Sequence, residues 1–409
     1  MNLTWRLAWR NLWRHSRRTW LTVGAMVFCN VLLIFLISLQ LGSYQMMIDN
    51  SLAAYTGHLQ IQHRGYLEQQ RMRQSVPDVN ALAHELQTAL GQGEVAARGM
   101  AFVLASSRER SFGVLLSGVQ AGNEPGVSTF PGLIRQGRYL DASDTEHIVV
   151  GSVLAQNLRV GLGDEITFIG SGRDGSFAAG VATVVGILES GMEEIDRSVA
   201  QVPLAWFQQM FTMGDSGHAV VVRLPGLEQI PAALVTARAL VEENPDLVVH
   251  DWDAMLPGLR QAIASDMASG WFMYAVLIVL VTFSVLNTQL MSVLERTREF
   301  GVMLALGMRP AQLARLVGME TLLMSGLGMA LGVFLGSLVT WYLSVAGFAY
   351  PGMDELGAKF NMPGRMYPEV SLLSLLWGPG VVFLGGLLAA VYPALRLLRL
   401  VPVAAMRAA

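Results

Sequence analysis

The 409 residues are 53% hydrophobic and only 14% charged, with a mean hydropathy of +0.44 and a formal net charge of −3. Such a composition excludes an ordinary soluble enzyme and equally a chain lying wholly in bilayer; it calls for long apolar helices beside a sizeable water-exposed domain. The single cysteine, Cys29, excludes an internal disulfide and any multi-cysteine metal centre.

Residues 1–19 carry Arg6, Arg10, Arg14, Arg17 and Arg18 and no acidic residue. With Trp5, Trp9, Leu12 and Trp13 between them at helical spacing, they predict an amphipathic helix on an anionic membrane surface. A nucleic-acid role is disfavoured because an apolar run follows at once. That run, residues 20–42, has the length of about 20 residues that a bilayer requires and predicts a first, uncleaved span.

Residues 43–268 differ in character. Over 43–270 there are 25 acidic against 14 basic residues, a net charge of −11. Alternating or short apolar runs predict strands at 58–63, 112–116, 147–150, 165–169, 181–187 and 219–223. Helical patterns lie between them at Val79–Leu90, Ser152–Leu158, Pro203–Met213, Glu228–Glu243 and Trp252–Ala268. The block reads as an α+β domain large enough to hold its own core, with room for two lobes.

A second span is predicted at 269–294. Its C-terminal half holds Thr282, Ser284, Asn287, Thr288 and Gln289, and amides in a membrane helix call for a facing helix. Residues 295–315 form a short polar link to a third span at 316–345, which opens with Glu320. That span contains Gly328, Gly332 and Gly336, a spacing that lets helix backbones approach closely. A short loop at 346–370, a fourth span at 371–394 and an arginine-bearing tail at 395–409 complete the chain. The N-terminal helix (+5), the 295–315 link (+2) and the tail (+3) are all positive, whereas the large domain (−11) and the 348–370 loop (−1) are negative. Excess arginine on one side of every span places both termini and the link in the cytoplasm and the large domain outside. The expected fold is therefore a membrane protein of four transmembrane α-helices, with a large extracytoplasmic α+β domain between helices 1 and 2.

Catalytic signatures are missing. Lys359 is the only lysine, so no phosphate loop of the Gly-x-x-x-x-Gly-Lys type exists. His84-Glu85 lacks the second histidine of a zinc-protease helix. Glu193, Glu194 and Asp196 have some character of a calcium cluster, but the stretch reads as a solvated loop. No catalytic, cofactor or metal-ligating residue is expected.

The link resembles the cytoplasmic signature of FtsX-like permeases, the MacB/LolCE class of ABC transporter membrane subunits. The matching residues are Glu295, Arg296, Glu299, Phe300 and Gly301, followed by Ala305, Leu306 and Gly307. Ala8-Trp-Arg-Asn-Leu12 is similar to the family's entry helix. Gly151-Ser-Val-Leu-Ala155, Gly163-Asp164 and Val184-Val-Gly-Ile187 resemble its periplasmic core, and Tyr392-Pro-Ala394 through Arg407 its closing pattern. Two positions depart from it: Leu304 stands where many members have a basic residue, and Val401 with Ala404-Ala405 where many have acids.

The resemblance implies a permease in the inner membrane that pairs with a second permease, identical or homologous, and binds two copies of a separate ATPase subunit carrying ATP and Mg. Glu295, Arg296, Arg298, Glu299, Phe300, Gly301, Ala305, Leu306, Gly307 and Arg309 would couple to that ATPase. The length, the four-span plan and Gly57-His-Leu-Gln-Ile-Gln62 resemble most the lipoprotein-releasing LolC/LolE branch, with a periplasmic carrier or adaptor as a further partner. MacB-like efflux and FtsX-like signalling to a cell-wall hydrolase are the alternatives.

Overall fold

A computed structural model describes residues 3–14, 16–349, 351 and 364–398. Outside them lie the first two residues of the predicted surface helix, Lys359 and Pro363 of the 346–370 loop, and Arg399 to Arg407 of the closing pattern. The chain forms two compact units. One comprises residues 1–45, 262–350 and 365–409, and the other residues 46–261 and 351–364.

In chain order, α1 (Leu3–Arg14) and α2 (Ser16–Ser51) lead through a π-helical turn (Leu52–Thr56) into β1 (Leu59–His63), α3 (Tyr66–Gln69) and α4 (Val79–Leu90). Next come β2 (Glu94–Ser106), β3 (Ser111–Val119), α5 (Glu124–Val127), β4 (Ile134–Gly137), β5 (His147–Gly151), α6 (Ser152–Leu158), β6 (Glu165–Ser171) and β7 (Phe177–Leu188). The domain closes with α7 (Glu193–Ser198), β8 (Val199–Pro203), α8 (Leu204–Met210), β9 (Ala219–Arg223), α9 (Ile230–Val241), β10 (Leu247–Asp251) and α10 (Trp252–Met255). Then α11 (Pro257–Glu295), α12 (Thr297–Ala305), α13 (Pro310–Ala346) and α14 (Leu372–Leu398) follow.

In the α+β unit one sheet runs β10-β1-β9-β2-β3-β8-β5-β7-β4, and β6 joins β2 to β7. Strands β2, β3, β8, β5, β7 and β6 thus close a ring. Along β6 and β7 residues alternate inward and outward, as period-two patterning demands. Val103, Leu116, Val150, Ile166, Phe168, Val184 and Val202 fill the interior of the ring with Phe207 and Phe211. A second core lies where α4 and α9 cover the open part of the sheet, around Leu59, Ile61, Leu86, Val220, Val222 and Ala237. β2 serves both cores. Glu94 to Arg98 pair with β9, whereas Leu104 to Ser106 pair with β6.

Inside the domain a fully buried arginine ties the π-helical turn to α5. Arg98 donates from Nη2 to Glu124 Oε1 at 2.6 Å and from Nε to Oε2 at 3.1 Å. Its Nη1 donates to the Tyr55 carbonyl, and its guanidinium lies 4.1 Å from the centre of the Tyr55 ring. The fork geometry of arginine satisfies a buried carboxylate and a carbonyl together, which a lysine would not do.

Several expectations change. The stretch at Glu193–Asp196 is not a solvated loop: it forms α7, and the Asp196 carboxylate is buried and accepts from the Ser190 N–H at 2.8 Å. The helix expected at Trp252–Ala268 breaks at Leu256, and everything after that residue belongs to α11. Strands β2, β4, β8 and β10 were not foreseen.

Among the described residues four helices are long and apolar enough to cross a membrane, each longer than the apolar run predicted for it. Glycines set their approach. A Cβ at Gly328 would lie 2.9 Å from Met26 Cβ, at Gly332 2.5 Å from Asn30 Cβ, and at Gly336 2.7 Å from Ile34 Cδ1. Each glycine of α13 therefore meets a residue of α2 at the same four-residue step. Asn30 Nδ2 also donates to the Gly328 carbonyl at 3.3 Å. Gly378 of α14 packs in the same way against Leu33.

Candidate functional site

The polar link folds as one short helix between two turns. Thr297–Ala305 is α12, and Gly307 follows with φ +93°, a conformation that favours glycine. Pro310 then begins α13 at a position where its missing N–H costs no helical hydrogen bond. Gln312 accepts from the Arg309 N–H at 2.9 Å and donates its own N–H to the Arg309 carbonyl, which closes the start of α13.

The inward face of α12 is held by an ion pair. Arg296 donates from Nη1 to both carboxylate oxygens of Glu320 on α13, at 3.1 and 3.0 Å, and both side chains are buried. Asn11 of α1 donates to Glu320 Oε1 at 2.7 Å. The Arg296 guanidinium also lies 4.9 Å from the centre of the Phe300 ring. Phe300 is fully buried among Val293, Leu313, Val317 and Leu397, so it pins α12 to the ends of α11, α13 and α14. Arg18 of α2 reaches Glu295 at 3.1 Å and Ser292 at 2.7 Å, and Glu299 lies 3.4 Å from Arg296 and 3.7 Å from Arg14.

The outward face is different. Arg298, Val302, Ala305, Leu306, Gly307, Arg309 and Arg315 are exposed. Leu306 is 84% exposed, the highest value among the exposed large apolar side chains. An apolar knob ringed by arginines on a rigidly held helix is suited to a partner groove with an acidic rim.

The ten residues singled out in the link thus divide into two sets. Arg296, Phe300 and Gly301 are buried and support the helix from behind. Arg298, Ala305, Leu306, Gly307 and Arg309 face outward, while Glu295 and Glu299 lie at the border in pairs with α2 and α1. Asn11, Ser292 and Glu320 complete the site and were not assigned to it from sequence. The one signal for them was Glu320 itself, an acidic residue at the opening of the third span.

On α1, Ala8 and Leu12 are buried, and Arg6, Arg10 and Arg14 lie exposed. Trp9 and Trp13 stack edge-on at 5.9 Å, and Trp13 and Trp20 at 6.1 Å, leaving an exposed aromatic ladder beside the arginines. Amphipathic rings beside cations suit a headgroup layer. Among the described residues no group of three or more His, Cys, Asp or Glu could hold a metal ion.

Two family models match the chain: the FtsX-like permease C-terminal model over residues 271–402, and the MacB-like periplasmic core domain model over residues 19–240. The lipoprotein-releasing system transmembrane protein LolC of Xylella fastidiosa is 24% identical over 314 residues, covering 73% of this chain and 74% of that protein. The macrolide export ATP-binding/permease protein MacB of Rhodospirillum rubrum is 25% identical over 280 residues, covering 66% of this chain and 40% of that protein. The crystal structure of the periplasmic region of MacB from Actinobacillus actinomycetemcomitans aligns with a TM-score of 0.38 at 14% identity, over 52% of this chain and 96% of that one.

Proposed function

The chain belongs to the FtsX-like permeases with a MacB-like periplasmic core domain, a multi-pass ABC transporter permease on which no ATPase domain is found, and we propose that α12 is where a separate ATPase subunit drives it. The observation that carries this reading is the pairing of an exposed Leu306, flanked by Arg298 and Arg309, with a buried Arg296–Glu320 lock behind it.

A push on Leu306 meets little give. Phe300 and the lock pass it to α13, Arg18 with Glu295 passes it to α2, and α11 receives it through the single residue between Glu295 and Thr297. α2 and α11 also carry the chain into and out of residues 46–261 of the α+β domain. Closure of two ATPase copies around ATP would thus become movement of the domain outside, with both termini and α12 in the cytoplasm and α1 braced on the inner leaflet. The spans offer no chain of free charges to line a polar channel: Glu320 is neutralised by Arg296.

For the cargo, we infer lipoprotein release from the inner membrane toward a periplasmic carrier. The LolC of Xylella fastidiosa supports this reading because the alignment covers about three quarters of both chains, whereas the macrolide exporters are matched over less than half their length. Efflux is the second reading, favoured by those same exporter matches.

The test is Leu306→Asp in the purified permease–ATPase complex reconstituted in membranes. The expected result is loss of ATPase retention, or at least a tenfold drop in cargo-stimulated hydrolysis, with an unchanged thermal unfolding midpoint of the permease. Full retention and stimulation would remove α12 as the docking element. Release of acylated protein to a soluble carrier, against export of a small drug, separates the two cargo readings.

A further inference from the structure

The α+β unit holds a cavity of about 210 Å³ beside the π-helical turn that follows α2. Three segments wall it with apolar side chains: Met47 and Ala54, then Phe130 and Leu133, and Met192 with Ile195 at the start of α7. The volume exceeds the roughly 150 Å³ of an apolar cavity that takes up benzene, so by proportion about eight carbon-sized atoms fit. Ser51 and Ser190, also in the wall, donate to the carbonyls of Met47 and Met192 at 2.8 and 3.3 Å. Asn50 is not satisfied. Its Nδ2 is buried in the wall and has no hydrogen-bond partner among the described residues. A buried amide donor without an acceptor is costly, and a ligand carbonyl would remove that cost.

The walls are tied to the turn. The Thr129 N–H donates to the Ala53 carbonyl at 2.9 Å, and Phe130 stacks on Tyr55 with ring centres 5.6 Å apart. Tyr55 is the residue whose carbonyl and ring hold Arg98. π-Helical turns are rare and concentrate at functional sites. This one joins a helix of membrane-spanning length to the domain that follows it. Met47 is five residues past the apolar run at 20–42, roughly 8 Å along the helix. An acyl group that reaches the cavity has therefore left the hydrocarbon, whereas a phospholipid keeps its chains there.

We propose that this cavity is a subsite for one acyl chain of the cargo after its extraction, with Asn50 Nδ2 donating to the ester or amide carbonyl. The apolar walls cover the first carbons of the chain, which would otherwise meet water. Occupancy bears on Phe130 and Ala54, so the π-helical turn is the element that registers a loaded domain. The inference rests on the reading of an acylated cargo and adds where, outside the bilayer, an acyl group is held.

The test uses the full-length permease in lipid nanodiscs. Cys29, the only cysteine, is changed to serine, and a bimane dye is placed on M192C, where Met192 is 39% exposed at the rim. The probe is a triacylated cysteine peptide, titrated against the same peptide without acyl chains. A saturable emission change with the acylated peptide alone is expected, and Ala54→Leu, which fills the cavity, should abolish it. Asn50→Leu should weaken the apparent Kd about tenfold, as loss of one buried hydrogen bond implies, while raising the unfolding midpoint of the unliganded permease. A purely structural asparagine would move stability and affinity together, so opposite signs identify a ligand donor. Hydrogen exchange over residues 47–56 of the unlabelled permease gives the same comparison should M192C disturb folding. Equal response to the deacylated peptide, an unaltered Kd in Asn50→Leu, or a phospholipid that copurifies with the wild type and is lost in Ala54→Leu would each overturn the proposal. Release of acylated protein to a soluble carrier, scored in the reconstituted complex, separates the two readings: release with a silent reporter overturns the cavity and leaves the cargo assignment standing.

Discussion

Arg296 directs a single nitrogen, Nη1, at both carboxylate oxygens of Glu320, 24 residues away, and the pair is closed to solvent by Asn11 and Phe300. The arrangement turns the start of α12 and the first turns of α13 into one piece.

Removing one member should cost far more than removing both. Arg296→Met leaves the Glu320 carboxylate buried without its countercharge, a loss of about 3–5 kcal/mol in comparable buried pairs. Arg296→Met with Glu320→Met should recover most of it. Glu320→Gln, which still accepts from Arg296 and Asn11, should lie between. Thermal unfolding of the detergent-solubilised permease reads the order. If the double variant proves as unstable as Arg296→Met, the cost belongs to lost packing instead of an orphaned charge.

The contact of α2 with α13 should tolerate no side chain at its centre. Gly332→Val drives a branched Cβ into Asn30 and should destabilise by about 1–3 kcal/mol, the cost of overpacking. Gly326→Ala, in the same helix with nothing within 4 Å of the added carbon, should be neutral or slightly stabilising. Equal effects at the two sites, measured as midpoints in detergent, would refute the close approach.

Acid should weaken the α+β domain through two histidines. The Nδ1 atoms of His58 and His218 accept backbone N–H groups from Leu224 and Met100, at 3.1 and 3.0 Å. Burial lowers both pKa values to about 4 from 6.5. The folded state therefore holds both neutral while the unfolded chain binds protons below about 6.5. Their contribution is complete above pH 6.5 and falls away between 6.5 and 4, by at most about 1.4 kcal/mol per pH unit for each. Asp144, pulled down to about 2 by its hydrogen bonds with Arg138, acts only below about pH 4 and leaves this window clear. His218→Asn should flatten the slope of unfolding midpoint against pH between 6.5 and 4.5. An unchanged slope would exclude His218 as a source.

What the sequence made legible follows from how local each signal is. Val79–Leu90, Ser152–Leu158 and Ala219–Arg223 have the same bounds in the structure as in the pattern, because each carries its period within one segment. β2 was invisible for the opposite reason. Val95 to Gly99 are buried on both faces, so they do not alternate, and the buried Arg98 among them looks polar until Glu124 is in place. β8 includes the buried Gln201 and ends in Pro203, and it pairs with β3 more than 80 residues earlier. In the link, Arg298 and Arg309 face outward as their charge suggests, but residue type misleads at two positions: the apolar Leu306 is exposed and the charged Arg296 is buried. The inward lock was not readable, since Asn11 and Glu320 stand 309 residues apart.

The continuity of β2 bears on how force travels through the α+β domain. One end of the strand is hydrogen-bonded into the open sheet and the other into the closed ring. The two halves of this thirteen-residue strand meet at Arg98, the one residue shared by the ladders to β9 and to β3. The side chain at that junction is the one gripped by Glu124 and the Tyr55 carbonyl, so a bend between the two cores of the domain would have to strain this buried ion pair.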